Sequence, residues 1–305
     1  MEVKAWTYEE MPEFTEEVEG AVVTETTGDE TELHYLHDVE YAVMDQVPLH
    51  LQIIIPSTRN EPNKTYPCVV FVQGSAWFEQ DVWNKVAVLG RLAELGYVIA
   101  IVQYRHSGIA AFPAQIQDAR NAVRYMRLHA SEYSVQPDNI IMAGDSSGGH
   151  TAVFAGMIAE GSELDNSIYL GVPADVKGII DYYGCVSLMF EDGFPTTVNH
   201  HMPDSPEGCV MGHVDLRRHP ELCLKATAET YITPDTEIVP VMILHGTKDR
   251  IVAAKQSVSL YRRLKECGKD VRLYLIGGAD HGGGGFWTRE ICREADRFIR
   301  HCLEK

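Results

Sequence analysis

The chain has 305 residues, of which 45% are hydrophobic and 23% are charged. This composition is typical of a globular protein with a sizeable core, and no apolar run approaches the length of a membrane span. The 44 acidic residues against 26 basic residues give a formal net charge of −18. Such a surface repels nucleic acid and anionic membranes, so we expect neither as a partner.

The first 33 residues are acidic and mostly polar. We interpret residues 1–33 as an arm that precedes a main domain of residues 34–305. The start of the chain lacks a basic segment followed by an apolar run, so we expect no signal peptide. The seven cysteines are odd in number and scattered, without a C-x-x-C pair. That pattern fits a reduced, cytoplasmic setting.

Strand-like and helix-like segments alternate along the main domain. Apolar runs of strand type lie at residues 39–43, 49–56, 68–72, 97–102, 139–143, 176–182, 239–244 and 271–276. Helical spacing of apolar residues is found at about residues 80–95, 114–130, 253–267 and 288–302, with a further helix after residue 150. The first two strands suggest an antiparallel hairpin. The alternation as a whole predicts a mainly parallel sheet with helices on both faces.

Residues 186–236 interrupt this alternation, and we interpret them as a cap or lid insertion, the cap segment. They are polar and contain Pro195, Pro203, Pro206, Pro220 and Pro234. Their apolar residues are mostly isolated: Leu188, Met189, Phe190, Met202, Val210 and Met211. A lid for long-chain lipids needs a broad apolar face, because each buried methylene contributes about 0.8 kcal/mol. The cap segment therefore favours a polar substrate with a short acyl group.

The run GDSSGGH at residues 144–150 follows an apolar strand and precedes a stretch of small residues with helical character. Glycines stand two positions before and two positions after Ser146, as a G-x-S-x-G nucleophile elbow requires, since larger side chains there would meet neighbouring backbone. Ser147 lacks this pair, because Asp145 occupies one of its two positions. A phosphate-binding glycine loop is the alternative, but no G-K-[ST] follows. We predict that Ser146 is a nucleophile.

A serine nucleophile needs a base, and the base needs an acid that orients it. In a fold of this type they follow in the order serine, acid, histidine, beyond the ends of late strands. Asp249 and His281 satisfy that order and lie beyond the last two predicted strands. Asp280 is the second choice of acid, because it directly precedes His281 and adjacent side chains usually point apart. Asp181 and Asp235 are weaker candidates.

The loop QGSAW, which follows an early strand and ends at Trp77, is the oxyanion loop of this prediction. An oxyanion hole needs two backbone N–H groups. We expect one from Ser147 and the other from Ser75 or Ala76. Trp77 and Trp287 are predicted to line the substrate site as aromatic walls. The alternative for Trp77 is a core aromatic beneath the loop.

A second candidate site lies in the cap segment. Its residues are of types that bind metal: His200, His201, Asp204, Cys209 and His213. Adjacent histidines seldom share one ion, and no H-x-x-x-H spacing is present. We therefore expect no metal and no cofactor, and we interpret these residues as part of a polar substrate groove.

Four runs resemble those of the α/β-hydrolase superfamily: GDSSGGH at 144–150, FPAQIQDA at 112–119, HPEL at 219–222 and HGTKD at 245–249. Within it, the chain looks most like the bacterial feruloyl and acetyl xylan esterases, carbohydrate esterases related to the hormone-sensitive-lipase-like esterases. The likeness spans about residues 38–300. It departs at Gln73, where the family usually has a histidine that braces the oxyanion loop.

This resemblance implies an α/β-hydrolase fold with a cap insertion and a serine esterase that works through an acyl-enzyme. The implied substrates are acetyl or feruloyl esters of carbohydrate-like alcohols, either small molecules or oligosaccharides. A general short-chain carboxylesterase, a prolyl-oligopeptidase-type peptidase and a non-enzymatic small-molecule binding protein stay open as alternatives. The sequence also leaves homo-oligomerisation open.

Overall fold

A computed structural model describes residues 3–189 and 195–305 of the chain. Its centre is a sheet with the strand order β1-β2-β4-β3-β5-β6-β7-β8. The strands are β1 (Glu32–Met44), β2 (Val47–Ser57), β3 (Tyr66–Val72), β4 (Val98–Val102), β5 (Val135–Asp145), β6 (Gly178–Tyr182), β7 (Val241–Gly246) and β8 (Val271–Ile276). β2 runs antiparallel to both β1 and β4, and the pairs from β4 to β8 are parallel. The predicted mainly parallel sheet is confirmed.

Helices cover both faces of this sheet, and β4 is accordingly a continuous buried apolar run, while every residue of β6 is buried. The helices are α1 (Val86–Ala93), α2 (Ala114–Leu128), α3 (Ser147–Met157), α4 (Pro206–Val210), α5 (Pro220–Lys225), α6 (Ala254–Glu266) and α7 (Arg289–Leu303). Buried side chains of α2, α3 and α6 share one apolar core, and those of α1 and α7 share the other.

Two boundaries differ from the sequence prediction by more than four residues. Helix α1 begins at Val86, whereas helical spacing suggested a start near residue 80. The segment before it is held by Gln80, whose buried side chain donates hydrogen bonds to the carbonyls of Gln73 and Val102. Strand β1 begins at Glu32, so residues 3–31 are the described part of the arm, and no helix or strand is found in them. That the arm and the cap segment form units separate from the main domain remains a prediction.

The cap segment lies between β6 and β7 and contains α4 and α5 with two short 3-10 turns, Leu216–Arg218 and Ala228–Tyr231. Phe190, one of its predicted isolated apolar residues, lies outside the described part of the chain. Several of its buried side chains, among them Leu188, Val210 and Leu216, belong to a small apolar cluster that includes Trp77. The cap segment therefore rests directly on the oxyanion loop.

Two further observations concern the chain as a whole. All seven cysteines are buried and none forms a disulfide. No helix among the described residues has the length and apolar character needed to cross a membrane.

Candidate active site

Ser146 lies between the end of β5 and the start of α3, with φ 54° and ψ −125°. This conformation is strained for a residue with a side chain, and such strain is concentrated at functional sites. A Cβ atom at Gly144 would lie 2.2 Å from the carbonyl oxygen of Gly148, and one at Gly148 would lie 2.0 Å from that of Val72. Only glycine fits at these two positions, and the turn has the geometry that the elbow prediction requires.

The structure brings the three predicted side chains into one hydrogen-bonded chain. The Oγ atom of Ser146 lies 2.7 Å from Nε2 of His281, and Nδ1 of His281 lies 2.7 Å from Oδ2 of Asp249. The three residues follow β5, β8 and β7, which are parallel, so the carboxyl ends of these strands meet at one edge of the sheet. Their order along the chain is serine, acid, histidine.

The side chain of Asp249 is completely buried, and its carboxylate is held by four donors. Oδ1 accepts the backbone N–H groups of Ile251 and Val252, each at 2.8 Å. Oδ2 accepts from His281 and lies 3.1 Å from Nε2 of His245. Burial alone would raise the pKa of Asp249, but the hydrogen bonds from His245, His281 and the backbone outweigh it and hold the pKa well below its usual range. The carboxylate of Asp249 is therefore ionised in the folded protein near neutral pH.

His245 is a contact of this site to which sequence reasoning assigned no role. Its ring is fully buried, with Nδ1 at 2.7 Å from Ser257 Oγ and Nε2 at 2.9 Å from the carbonyl oxygen of Val252. Since Nε2 faces that carbonyl and the Asp249 carboxylate, which only accept, Nε2 carries a hydrogen. The signal was present in the run HGTKD, where the histidine stands four residues before the aspartate.

The other candidate acids do not contact the ring of His281. Oδ1 of Asp280 accepts the backbone N–H of His281 at 2.8 Å, while Oδ2 pairs with the guanidinium of Arg250 at 2.5 Å. Arg250 and the backbone N–H groups lower the pKa of Asp280 to about 2. Asp181 is a fully buried residue of the interior strand β6, and burial raises its pKa to about 7. Asp235 is exposed.

The oxyanion loop, residues 73–77, contains two strained residues, Ala76 with φ 55° and Trp77 with φ 57°. The N–H of Ser75, one of the two predicted donors, is used within the protein, because it donates to Ser147 Oγ at 2.9 Å. The N–H groups of Ala76 and Ser147 have no acceptor among the described residues. Of the predicted alternatives, the geometry favours Ala76 together with Ser147.

The departure from the family pattern at Gln73 is offset by other contacts. Within the described chain, Oε1 of Gln73 is buried without a hydrogen-bond partner. The loop is held through its backbone, since the N–H of Gly74 donates to Asp145 Oδ1 at 2.8 Å. Gln80 adds a hydrogen bond to the carbonyl of Gln73 at 2.8 Å. The loop is therefore braced by the residue beside the nucleophile rather than by a side chain at position 73.

The structure argues against the predicted substrate-wall role of the two tryptophans. Trp77 is 2% exposed and packs edge-on against His150, with ring centroids 5.3 Å apart. Trp287 is 3% exposed and stacks on Tyr182 at 4.8 Å. Trp77 shares an apolar cluster with the cap segment, and Trp287 shares the core cluster of α1 and α7, so both indoles are core aromatics.

The alternative metal site in the cap segment would need at least three ligating side chains close together. Between residues 3 and 305, leaving aside 190–194, no group of three or more histidine, cysteine, aspartate or glutamate side chains is placed to hold an ion. Nδ1 of His200 instead lies 2.7 Å from Glu207 Oε1, and its Nε2 lies 3.0 Å from the carbonyl oxygen of Ile251. His200 thus joins the cap segment to the loop that carries Asp249.

The strand order and the serine–histidine–aspartate chain define an α/β-hydrolase of the type found in esterases. A family model described as BD-FAE matches residues 51–264. The chain belongs to this family, and the predicted resemblance to the esterases of the superfamily is confirmed.

The named relatives and the similar solved structures are also esterases. Esterase LipC of Mycobacterium tuberculosis is 28% identical over 226 residues, which cover 73% of this chain and 55% of LipC. A probable carboxylic ester hydrolase, LipM of the same organism, is 25% identical over 69% of this chain and 47% of LipM. The chain thus spans about half the length of these curated relatives.

Among solved structures, a truncated carbohydrate esterase from gut microbiota has a TM-score of 0.78 and 25% identity, covering 92% of this chain and 99% of that one. Esterase 2 of Thermogutta terrifontis with bound butyrate has a TM-score of 0.68 and 21% identity, covering 90% and 94% of the two chains. The latter likeness shows the fold alone.

Proposed function

We propose that this protein hydrolyses carboxylic esters, with Ser146 as nucleophile, His281 as general base and acid, and Asp249 as the orienting acid. One observation carries the proposal. The hydrogen bonds from Ser146 Oγ to His281 Nε2 and from His281 Nδ1 to Asp249 Oδ2, each 2.7 Å, form an unbroken hydrogen-bonded chain from the nucleophile to the acid. The esterase names of the relatives support the same reaction class.

In the proposed mechanism, Ser146 Oγ attacks the ester carbonyl carbon and its proton moves to Nε2 of His281. The carbonyl oxygen becomes an oxyanion that accepts hydrogen bonds from the N–H groups of Ala76 and Ser147. The C–O bond to the alcohol then breaks, and the alcohol leaves with the proton from Nε2. Water repeats these steps on the acyl-enzyme and releases the acid with Ser146 restored.

Two features of the surroundings favour the charges that develop. Asp249, held ionised by its four donors, faces the imidazolium that forms on His281 and stabilises its positive charge. Ser147 is the first residue of α3, and the free N–H groups and dipole of a helix N-terminus stabilise negative charge. The site therefore places a negative carboxylate beside the positive charge that forms on His281, and the positive end of a helix beside the negative charge that forms on the substrate oxygen.

We further propose short acyl substrates, acetyl first and feruloyl second, on a carbohydrate-like alcohol. The polar cap segment supports this choice, with the buried His200–Glu207 pair at its contact with the acid loop. The structural similarity to a carbohydrate esterase from gut microbiota supports it as well. The burial of Trp77 and Trp287 removes the aromatic walls that had supported feruloyl groups. A general short-chain carboxylesterase is the second candidate, because the curated relatives are named simply as esterases.

Hydrolysis of p-nitrophenyl acetate by the full chain tests the reaction class. Ser146→Ala and His281→Ala should each lower kcat by about 10⁴-fold, and the double variant should lose little more, because the triad acts as a unit. Ser147→Ala, the matched control, keeps its backbone N–H and should lose far less. A wild-type protein without activity would favour a hydrolase-fold binding protein. An active Ser146→Ala variant would overturn the assignment of the nucleophile.

A substrate panel then separates the substrate classes. We expect p-nitrophenyl acetate to be preferred over longer esters, and acetylated xylo-oligosaccharides to be preferred over methyl ferulate. A maximum at octanoyl or longer would contradict the carbohydrate-esterase proposal and leave a general esterase. Cleavage of aminoacyl substrates at a higher rate would favour a peptidase. Inhibition by EDTA that zinc reverses would point to a metal-dependent reaction.

A further inference from the structure

Asp145, the residue before Ser146, is buried and joins three separate segments of the site. Oδ1 accepts the N–H of Gly74 in the oxyanion loop at 2.8 Å. Oδ2 accepts the hydroxyl of Tyr183 at 3.0 Å and lies 3.0 Å from Nζ of Lys85. These partners lie after β3, after β6 and just before α1, so one carboxylate ties together loops that are far apart in sequence.

Tyr183 extends this connection to the histidine. Its ring packs edge-on against the imidazole of His281, with centroids 5.0 Å apart, and against Phe286 at 4.5 Å. Tyr183 has a φ of 44°, a strained conformation for a residue with a side chain. The hydroxyl of this buried tyrosine donates to Asp145, which fixes the ring that supports His281.

The charge of Asp145 poses an electrostatic problem for the proposed reaction. A carboxylate beside the nucleophile opposes the negative charge that develops on the substrate oxygen, and burial strengthens that repulsion. The ammonium group of Lys85, whose side chain is only 17% exposed, lies against this carboxylate and cancels its charge. Asp145 can therefore hold the loops through strong charge-assisted hydrogen bonds without leaving a net negative charge beside the oxyanion.

We propose that Asp145, neutralised by Lys85, is a positioning residue that aligns the oxyanion loop through Gly74 and the histidine through Tyr183. This inference rests on the proposed esterase function. It also accounts for how the oxyanion loop keeps its shape without the family histidine at position 73, because the brace comes from Asp145 instead.

The test compares Lys85→Met, Asp145→Asn, their double variant and Tyr183→Phe in the full chain. The assays are kcat and KM with p-nitrophenyl acetate and the inhibition constant of a trifluoromethyl ketone, whose adduct with serine carries an oxyanion. Matched controls are Tyr97→Phe, which loses a similar hydroxyl bond to Asp296 at 2.7 Å, and Lys305→Met, which breaks the ion pair with Asp270. Circular dichroism and melting temperature report folding.

We expect Lys85→Met to lower kcat by about 30-fold, because the Asp145 carboxylate then has no counter-charge and repels the oxyanion. This effect is smaller than the loss of an oxyanion donor, since the oxyanion loop keeps its hydrogen bond to Asp145. KM should stay within about threefold, and the inhibition constant of the ketone should rise in parallel with the fall of kcat/KM. The double variant should be no worse than Lys85→Met, since removing both charges removes the repulsion. Tyr183→Phe should lose about tenfold in kcat, near the lower limit for the loss of one hydrogen bond to a charged group.

The inference is overturned if Tyr183→Phe and Lys85→Met are folded and match Tyr97→Phe and Lys305→Met in kcat and in ketone affinity. If the variants at Lys85 and Asp145 do not fold, Tyr183→Phe alone tests the inference, because it removes a single oxygen atom. The proposed function fails by a different result, namely wild-type hydrolysis that Ser146→Ala leaves unchanged. Wild-type activity that depends on Ser146, with all the Asp145 partners dispensable, would leave the function standing and reject only this inference.

Discussion

Asp249 and Asp280 both hydrogen-bond to His281, and they differ in nearly every other respect. Asp249 reaches the Nδ1 atom of the ring from a side chain that is 0% exposed. Asp280 reaches only the backbone N–H, and its side chain is 40% exposed and paired with Arg250. Both have a lowered pKa, but through different partners: histidines and backbone donors for Asp249, mainly a guanidinium for Asp280.

The comparison shows that a lowered pKa alone does not identify a catalytic acid. An orienting acid must contact the ring nitrogen opposite the one that exchanges the proton, so that the ring keeps the correct tautomer. Asp249 satisfies that geometry and Asp280 does not. Asp280 instead holds the start of its own loop against Arg250.

The largest difference between the two aspartates is expected in kcat, when each is replaced in turn by asparagine. Asp249→Asn should lower kcat by about 10⁴-fold, because an amide N–H facing Nδ1 leaves the proton on Nε2, where it blocks the base. Asp280→Asn should stay within about threefold of wild type, as expected for an exposed ion pair. Steady-state kinetics with p-nitrophenyl acetate measures both. A nearly inactive Asp280→Asn beside an active Asp249→Asn would reverse the assignment.

The sequence was sufficient for the contacts that depend on local rules. The glycine pair around Ser146 reflects a steric limit that holds wherever the elbow occurs, and the structure shows the predicted clashes. The positions of Asp249 and His281 after successive parallel strands follow from the strand pattern, because parallel strands end at one edge. The sheet, most helices and the meeting of three side chains could therefore be predicted.

Other features depend on contacts between distant segments, and no local pattern encodes them. Lys85 and Asp145 lie 60 positions apart, and neither spacing nor composition links them. The burial of Trp77 depends on a positive φ at a residue that is not glycine and on the cap segment above it. Helix α1 begins later than the apolar spacing predicts, because the buried side chain of Gln80 holds the preceding stretch in a non-helical path.

The next largest effect concerns the pH dependence of hydrolysis. Since the pKa of Asp249 lies well below its usual range, that carboxylate stays ionised throughout the working range and adds no step to the profile. The rate should instead rise with pH across the range in which histidines titrate, by about tenfold per unit on the acid side, because only a neutral imidazole accepts the serine proton. Asp280→Asn should leave the midpoint of kcat/KM against pH unchanged. A flat profile between about pH 5 and 8 would contradict the role of His281.

A smaller effect is expected from the second histidine on Asp249. His245→Leu removes the Nε2 donor at 3.1 Å from Oδ2 but leaves the two backbone donors and His281 in place. We expect kcat to fall about tenfold, near the strength of one hydrogen bond to a charged group, with KM little changed. His245→Gln keeps an N–H donor and should recover part of the loss. A folded His245→Leu with wild-type kcat would show that this contact has no influence on the acid.

The smallest effect separates the two aspartates by stability in acid. A carboxyl whose folded pKa lies below its unfolded value, near 3.8, contributes stability that is present above that pH and is lost as the pH falls below it. Both aspartates stabilise the folded protein in this way, but the buried Asp249 is shielded from salt, whereas the charge of the exposed Asp280 is screened.

Between pH 5 and pH 3, the melting temperature of Asp249→Asn should therefore fall less steeply than that of wild type, by a few °C, at both low and high salt. Asp280→Asn should differ from wild type only at low salt, where screening is weak. Calorimetry at about 0.02 M and 0.5 M NaCl, salt levels on either side of a 10 Å screening length, measures both slopes. If salt removed the difference for Asp249→Asn as well, the carboxylate at Nδ1 of His281 would not be isolated from solvent, and burial would no longer explain the contrast between the two acids.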